Sequence, residues 1–441
     1  MKFKKIRYAA LCVLFVCGCV SAKGVKTVKK YDTGLTSVLI DNDDSLAASV
    51  SVYVRAGAVD EKPSQAGLSH FLEHLMFKGS KNYPGDELSR RVENMGGYIN
   101  AATSKEYTMY YINIQKDGVD EAVKMLADTM QHPLFPQDDI DRERKVVIEE
   151  IQRHSDNPES VLYETFFKTI YEKSALKNSI IGTADVIANV SRDEIYDYYS
   201  SHYVPEKMVV VVSGNFDKNK TQKLIDKTFG KIRKKTPLPD PVTLESSHTG
   251  KDWIKRDKVE VGYLVSGFLG PDIASDDIFK ADLAMSVLGG GKSSRLYRVL
   301  KDERQLVYSI GSSFMTVKGT GIAYVSAVFA PENLDEIRAE IKRQIEDIIE
   351  SGVTEEELNR AKLAFKTSWN FSHETPSDIA YNAGYWTLMG RPEAADNYVL
   401  KIKALTAEDV RTVFAKYYSS DKITNAALLP VAPLSEVKVK K

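Results

Sequence analysis

The chain has 441 residues, of which 43% are hydrophobic and 27% charged, with a net charge of −1. That hydrophobic content over that length suits two or more globular domains, each with its own core. Without a basic excess there is no electrostatic footprint for nucleic acid, which is excluded as a partner.

Residues 1–22 are set apart. Lys2, Lys4, Lys5 and Arg7 form a positive start, and Tyr8 to Val16 form an apolar run too short to span a bilayer. Val20-Ser21-Ala22 reads as the cleavage site of a signal peptide. Val16-Cys17-Gly18-Cys19 reads equally as a bacterial lipobox in which Cys19 is lipidated, although Cys17 is unusual at its place in such a box. Both readings predict an exported, periplasmic protein that touches the membrane only through a lipid anchor, if at all. All three cysteines, Cys12, Cys17 and Cys19, fall in this segment. The mature chain therefore has no disulfide, cysteine nucleophile or cysteine-zinc site.

Ala47 to Arg55 reads as a strand, and a helix follows from Gly67 towards Gly79. Asp86 to Asn94 reads as a second helix ending at Gly96-Gly97. Tyr98 to Ala102 and Tyr107 to Ile114 alternate like strands. Val119 to Met130 and Asp139 to Gln152 are amphipathic helices, and Met208 to Val212 is a fully apolar strand. Strands and helices mixed in this order predict an α+β fold. Residues 231–250, rich in Lys, Pro, Ser and Thr, read as a linker. At an offset of 215, Ser191-Arg192-Asp193-Glu194-Ile195 aligns with Thr406-Ala407-Glu408-Asp409-Val410, and each segment opens on a capping-box pair before a helix and an apolar strand. Two similar halves are expected, residues 26–230 and 251–432, with a frayed tail at 433–441.

The first half carries His70-Phe71-Leu72-Glu73-His74. Imidazoles four residues apart share one helix face, and the carboxylate between them lies near it. Zinc needs neutral imidazoles that converge, and hydrolysis needs a base beside the water. The order H-x-x-E-H is that of the inverzincins. Leu68, Phe71, Leu72, Leu75 and Met76 surround these polar groups with an apolar stripe, so partners are required for them. The second half offers Met285-Ser286-Val287-Leu288-Gly289 at the same place, with no ligand. The other histidines, His132, His154, His202, His248 and His373, lack ligand spacing and read as surface or turn residues.

An open zinc site needs a third protein ligand. The helix Asp139 to Gln152 is the richest in carboxylates. Glu143, Val147 and Glu150 share one face, because seven residues return within about 20° of the start. Glu149 points about 100° away from Glu150, so Glu143 supports Glu150 but not Glu149. A solvated acidic face, balanced by Arg142, Arg144 and Lys145, is the other reading of the same residues.

Gly67 to Phe77 resembles the pitrilysin/insulysin family of zinc metallopeptidases, in the branch of the mitochondrial processing peptidase β subunit and its bacterial homologues. That branch has a stretch that Glu143-Arg144-Lys145-Val146-Val147-Ile148-Glu149-Glu150-Ile151 resembles, with Glu150 lying 76 residues after His74. The resemblance implies Zn²⁺ on His70, His74 and Glu150, one ion per chain, with Glu73 as catalytic base and Glu143 supporting a ligand. Gly96 to Ala101 matches the family strand that pairs with substrate backbone, which assigns substrate binding to Asn100 and Ala101. The family also uses an Arg and a Tyr seven residues apart in the second half. Tyr308 matches the Tyr, while Lys301 replaces the Arg, keeping the charge and losing the bidentate fork. The glycine run Gly289-Gly290-Gly291 lacks the spacing of a phosphate loop.

The expected protein is an exported zinc endopeptidase that cleaves peptides or unfolded segments with a metal-activated water, as a homodimer or a heterodimer with a related subunit. The rivals are a non-catalytic or partner-dependent subunit of a heterodimeric processing peptidase, and a purely structural zinc site. The first typically loses motif residues, and the second is usually four-ligand and Cys-rich.

Overall fold

The computed structural model describes residues 25–233, 238–239, 245 and 249–431. The signal segment with Cys19, most of the 231–250 linker and the tail 433–441 lie outside them.

Two sheets organise the chain. The first contains β1 (Val25–Lys30), β2 (Thr36–Asp41), β3 (Ala47–Val54), β4 (Tyr98–Thr103), β5 (Thr108–Gln115) and β6 (Met208–Gly214), in the order β1-β2-β6-β3-β5-β4. The second contains β7 (Asp252–Asp257), β8 (Gly262–Gly270), β9 (Val307–Met315), β10 (Gly321–Phe329) and β11 (Thr424–Pro430), in the order β7-β11-β8-β10-β9. In each sheet one pair is parallel, β2 with β6 and β7 with β11, and the remaining pairs are antiparallel. β7-β11-β8-β10-β9 therefore repeats β2-β6-β3-β5-β4, and the α+β fold of two similar halves is what the sequence repeat foretold. Both repeat segments form their boxes: Glu194 N donates to Ser191 Oγ at 3.2 Å, and Asp409 N to Thr406 Oγ1 at 3.2 Å. Residues Arg192–His202 and Ala407–Tyr417 are the helices that follow.

Burial explains the strand patterns. β6 is buried along its whole length, as an apolar central strand should be, whereas β5 alternates buried and half-buried residues. Helix Val119–Gln131 packs on β3 and β5. β3 and β6 are also packed by helix Pro376–Leu388, which belongs to the second half of the sequence. Gly384 permits this approach, since a Cβ there would lie 2.2 Å from the Tyr53 ring. Conversely, helix Pro158–Ile170 from the first half packs on β8 and β11. Its Leu162, Phe166 and Ile170 are buried in one cluster with Val265, Ile322, Ala426 and Leu428. Each half thus lends the other a helix, and a fully buried side chain such as Phe166 contributes roughly 1.5–3 kcal/mol to that exchange.

His202 departs from its surface reading. It is buried, donates from Nδ1 to Tyr198 O at 2.8 Å and stacks on the Tyr198 ring at 4.0 Å. Its neighbour four residues back satisfies it, so it needs no solvent. Among the described residues no helix is long and apolar enough to cross a membrane.

Candidate metal centre

Helix Leu68–Leu75 buries Leu68, Phe71, Leu72 and Leu75 and turns His70, Glu73 and His74 to its other side. Helix Gln137–Asp156 runs beside it, held by Val147, which is fully buried, and by Arg144. The Arg144 guanidinium donates to Val190 O at 2.8 Å and to Ile187 O, and lies 5.8 Å from the Phe71 ring. This packing faces Glu150 towards the two histidines.

Ligand atoms of His70, His74 and Glu150 all lie within 4.8 Å of one another, and no other such group of three occurs among the described residues. Glu150 Oε2 is 3.7 Å from His70 Nε2 and 3.6 Å from His74 Nε2. Ligand atoms about 3.3 Å apart are expected in a tetrahedral shell with bonds of about 2.0–2.1 Å, so this donor set fits zinc with little movement. Burial, and then the neighbouring His74, push His70 down to about 4. The ring is therefore neutral near pH 7, the form in which imidazole binds metal. Glu149 points away: its side chain is 69% exposed and faces Arg153.

Glu143 Oε2 accepts from His74 Nδ1 at 3.1 Å, and its Oε1 accepts from Lys78 Nζ at 2.7 Å. Burial raises the Glu143 carboxyl, but the hydrogen bonds from Lys78 and His74 outweigh it and hold the group below the usual carboxylate range. An ionised Glu143 fixes the tautomer that leaves His74 Nε2 free for a metal.

Glu73 stands between this site and the open edge of the first sheet. Its Oε2 accepts from Thr103 Oγ1 at 2.5 Å, which ties the helix to β4. Burial raises its pKa, and Thr103 and His74 offset part of the rise. Two cavities meet here. One, of about 670 Å³, is lined by Glu73, His74, Phe77, Asn100 and Ala101. The other, of about 630 Å³, is lined by His70, Glu73, Ala101, Thr103 and Tyr163. Glu73 and Ala101 belong to both. Among the described residues β4 pairs only with β5, and Asn100 Oδ1 accepts from Ala101 N at 2.9 Å.

Lys301 and Tyr308 are brought to each other. Lys301 Nζ donates to Tyr308 O at 2.9 Å, where a π-helical turn, Tyr297–Glu303, leads into β9. Neither lines the two cavities beside the histidines, and Tyr308 is 57% exposed. Two contributors escaped the sequence reading. Lys78 follows His74 by four residues, a spacing that could have flagged it, whereas Thr103 meets Glu73 only through tertiary packing.

Residues 37–184 match the family described as insulinase (peptidase family M16), and residues 189–365 the domain described as the M16 inactive domain. A protein of Mycobacterium leprae named as an uncharacterized zinc protease is 30% identical over 372 residues, covering 83% of each chain. The chain belongs to the M16 peptidase family. The uncharacterized zinc protease YmxG of Bacillus subtilis is 28% identical over 400 residues, 89% of this chain and 96% of its own. A protease of Helicobacter pylori superimposes with a TM-score of 0.87 at 26% identity, over 92% of this chain and all of that one. Within the M16 frame, His70, Glu73, His74, Glu143 and Glu150 all fall in the first matched segment, and Lys301 and Tyr308 in the segment called inactive.

Proposed function

We propose that this M16 protein is a zinc-dependent endopeptidase acting on peptides or unfolded polypeptide segments. The observation that carries the reading is the convergence of His70, His74 and Glu150 with Glu73, at the meeting point of two cavities and beside an unpaired strand edge. A zinc ion held by His70, His74 and Glu150 would supply Lewis acidity, lowering the pKa of a water and polarising the scissile carbonyl.

The chain's own residues do the rest. A substrate segment adds along β4 as a further strand, so that main-chain pairing at Asn100 and Ala101 sets its register. Glu73, held by Thr103, takes a proton from the attacking water and delivers it to the leaving amine. Glu143 keeps the His74 ring oriented. Tyr308, with Lys301 behind it, donates to the oxyanion from the second half. Export rests on the composition of residues 1–22, and a dimer rests on the family resemblance.

One observation favours a second reading, a partner-dependent subunit: Tyr308 is exposed and lines neither cavity beside the histidines. The test is hydrolysis of a quenched peptide by the purified chain alone, with bound zinc measured in parallel. Glu73→Gln should keep the zinc and lower turnover by about 10²–10⁴-fold. Zinc-independent turnover, or turnover indifferent to Glu73→Gln, overturns the catalytic reading. Activity that appears only with a related subunit selects the second one.

A further inference from the structure

The two histidines are held differently. His74 has Glu143 on its Nδ1, while the buried His70 Nδ1 has no hydrogen-bond partner among the described residues. The position of His70 is therefore set by its backbone, the first turn of an eight-residue helix. That turn has no side-chain cap of its own, since it opens on Gly67 at φ 97°. The space at Gly67 is closed as well: a Cβ there would lie 2.7 Å from Ile181 O.

The missing cap comes from elsewhere. Glu61, only 7% exposed, reaches the helix start with both carboxylate oxygens. Gly67 N donates to Oε2 at 2.7 Å and Ser69 N donates to Oε1 at 2.7 Å. Helix N-terminal N–H groups need such acceptors, and a carboxylate there also answers the helix dipole. Ser69 is fully buried and its hydroxyl meets Tyr198 Oη at 2.8 Å. His70 is the next residue, so a clamp on Ser69 limits both the rotation and the rise of the turn that carries it.

We propose that Glu61 is a positioning residue for the metal site, fixing His70 through the first helical turn as Glu143 fixes His74 through its ring. This rests on the zinc reading above. Partners that orient a ligand are worth about 10–100-fold in metal affinity. Glu61→Gln keeps the shape but offers an NH₂ to one of the two amides. Zinc affinity of the chelator-stripped chain should fall at least about tenfold, with a changed cobalt(II) absorption spectrum and unchanged circular dichroism. In a His70→Ala background the same substitution should leave the residual zinc affinity within about twofold, because the clamp then has no ligand to position. Glu61→Asp keeps the charge but withdraws the carboxylate by one methylene, and carries the same comparison if the Gln variant does not fold. Wild-type affinity and spectrum in the variants overturn the proposal, as does an equal loss in both backgrounds. A wild-type chain that binds no zinc overturns the metal site itself, and is recognised before any variant is compared.

Discussion

Glu143→Ala removes the acceptor of His74 Nδ1 at 3.1 Å and strands Lys78 Nζ, which sits 2.7 Å from the same carboxylate. The first loss frees the ring to rotate and to change tautomer. Outer partners of this kind are worth about 10–100-fold in metal affinity, or about 1.4–2.7 kcal/mol. Glu143→Gln should cost less, because its amide oxygen can still accept from His74 while only the charge opposite Lys78 is lost. The ordering wild type, Gln, Ala is the prediction, read by competition for zinc against a chromophoric chelator. Unfolding of the metal-free proteins runs alongside to separate affinity from fold. Wild-type affinity in Glu143→Ala would refute the reasoning, since it would mean that the bond orients nothing.

Three further outcomes follow from other parts of the molecule. Phe166→Ala should destabilise the chain by about 3–5 kcal/mol in denaturant unfolding, because a buried ring from the first half leaves a hole against the second sheet; a loss below 1 kcal/mol, on the order of a surface substitution, would contradict the helix exchange. Burial pushes Glu61 up to about 7 from 4.5, against the two amide hydrogen bonds that pull it down. The folded chain then takes up a proton that the unfolded chain has released, so this contribution is full below 4.5 and is lost as pH rises through about 7, above which the ionised carboxylate that accepts from both amides predominates. The unfolding free energy of wild type relative to Glu61→Gln should fall by roughly 3 kcal/mol across that window, and a pH-independent difference would count against it. Tyr308→Phe should lower kcat by about 10²-fold with zinc content unchanged; an unaffected kcat would remove Tyr308 from the chemistry.

What the sequence made legible was local. The pentapeptide His70 to His74 announces itself by helical spacing, and the Glu143-Val147-Glu150 face follows from the same period; the packed helices carry both. The doubled architecture is visible in Ser191 and Thr406, because a capping box is a short-range signal that both copies kept. What stayed hidden depends on distant chain. Phe166 and Ala383 lie on apolar helix faces, but nothing in their periodicity says that each covers the sheet of the other half. Nothing in the sequence singles out Thr103 or Glu61, because Thr103 meets Glu73 only once β4 lies against the motif helix, and Glu61 meets Gly67 only once the loop folds back. His202 looked like a surface residue because its partners, Tyr198 O and the Tyr198 ring, come from a helix turn that a polar sequence conceals.

The most direct measurement is a titration of zinc into chelator-stripped protein while the hydrolysis of a quenched peptide is followed. Turnover should rise linearly and level off at one equivalent of zinc per chain, and should be lost when Glu150 is replaced by Gln. Hydrolysis that ignores added zinc, or no hydrolysis from a fully loaded chain with or without a related subunit, would contradict a catalytic site built on His70, His74 and Glu150.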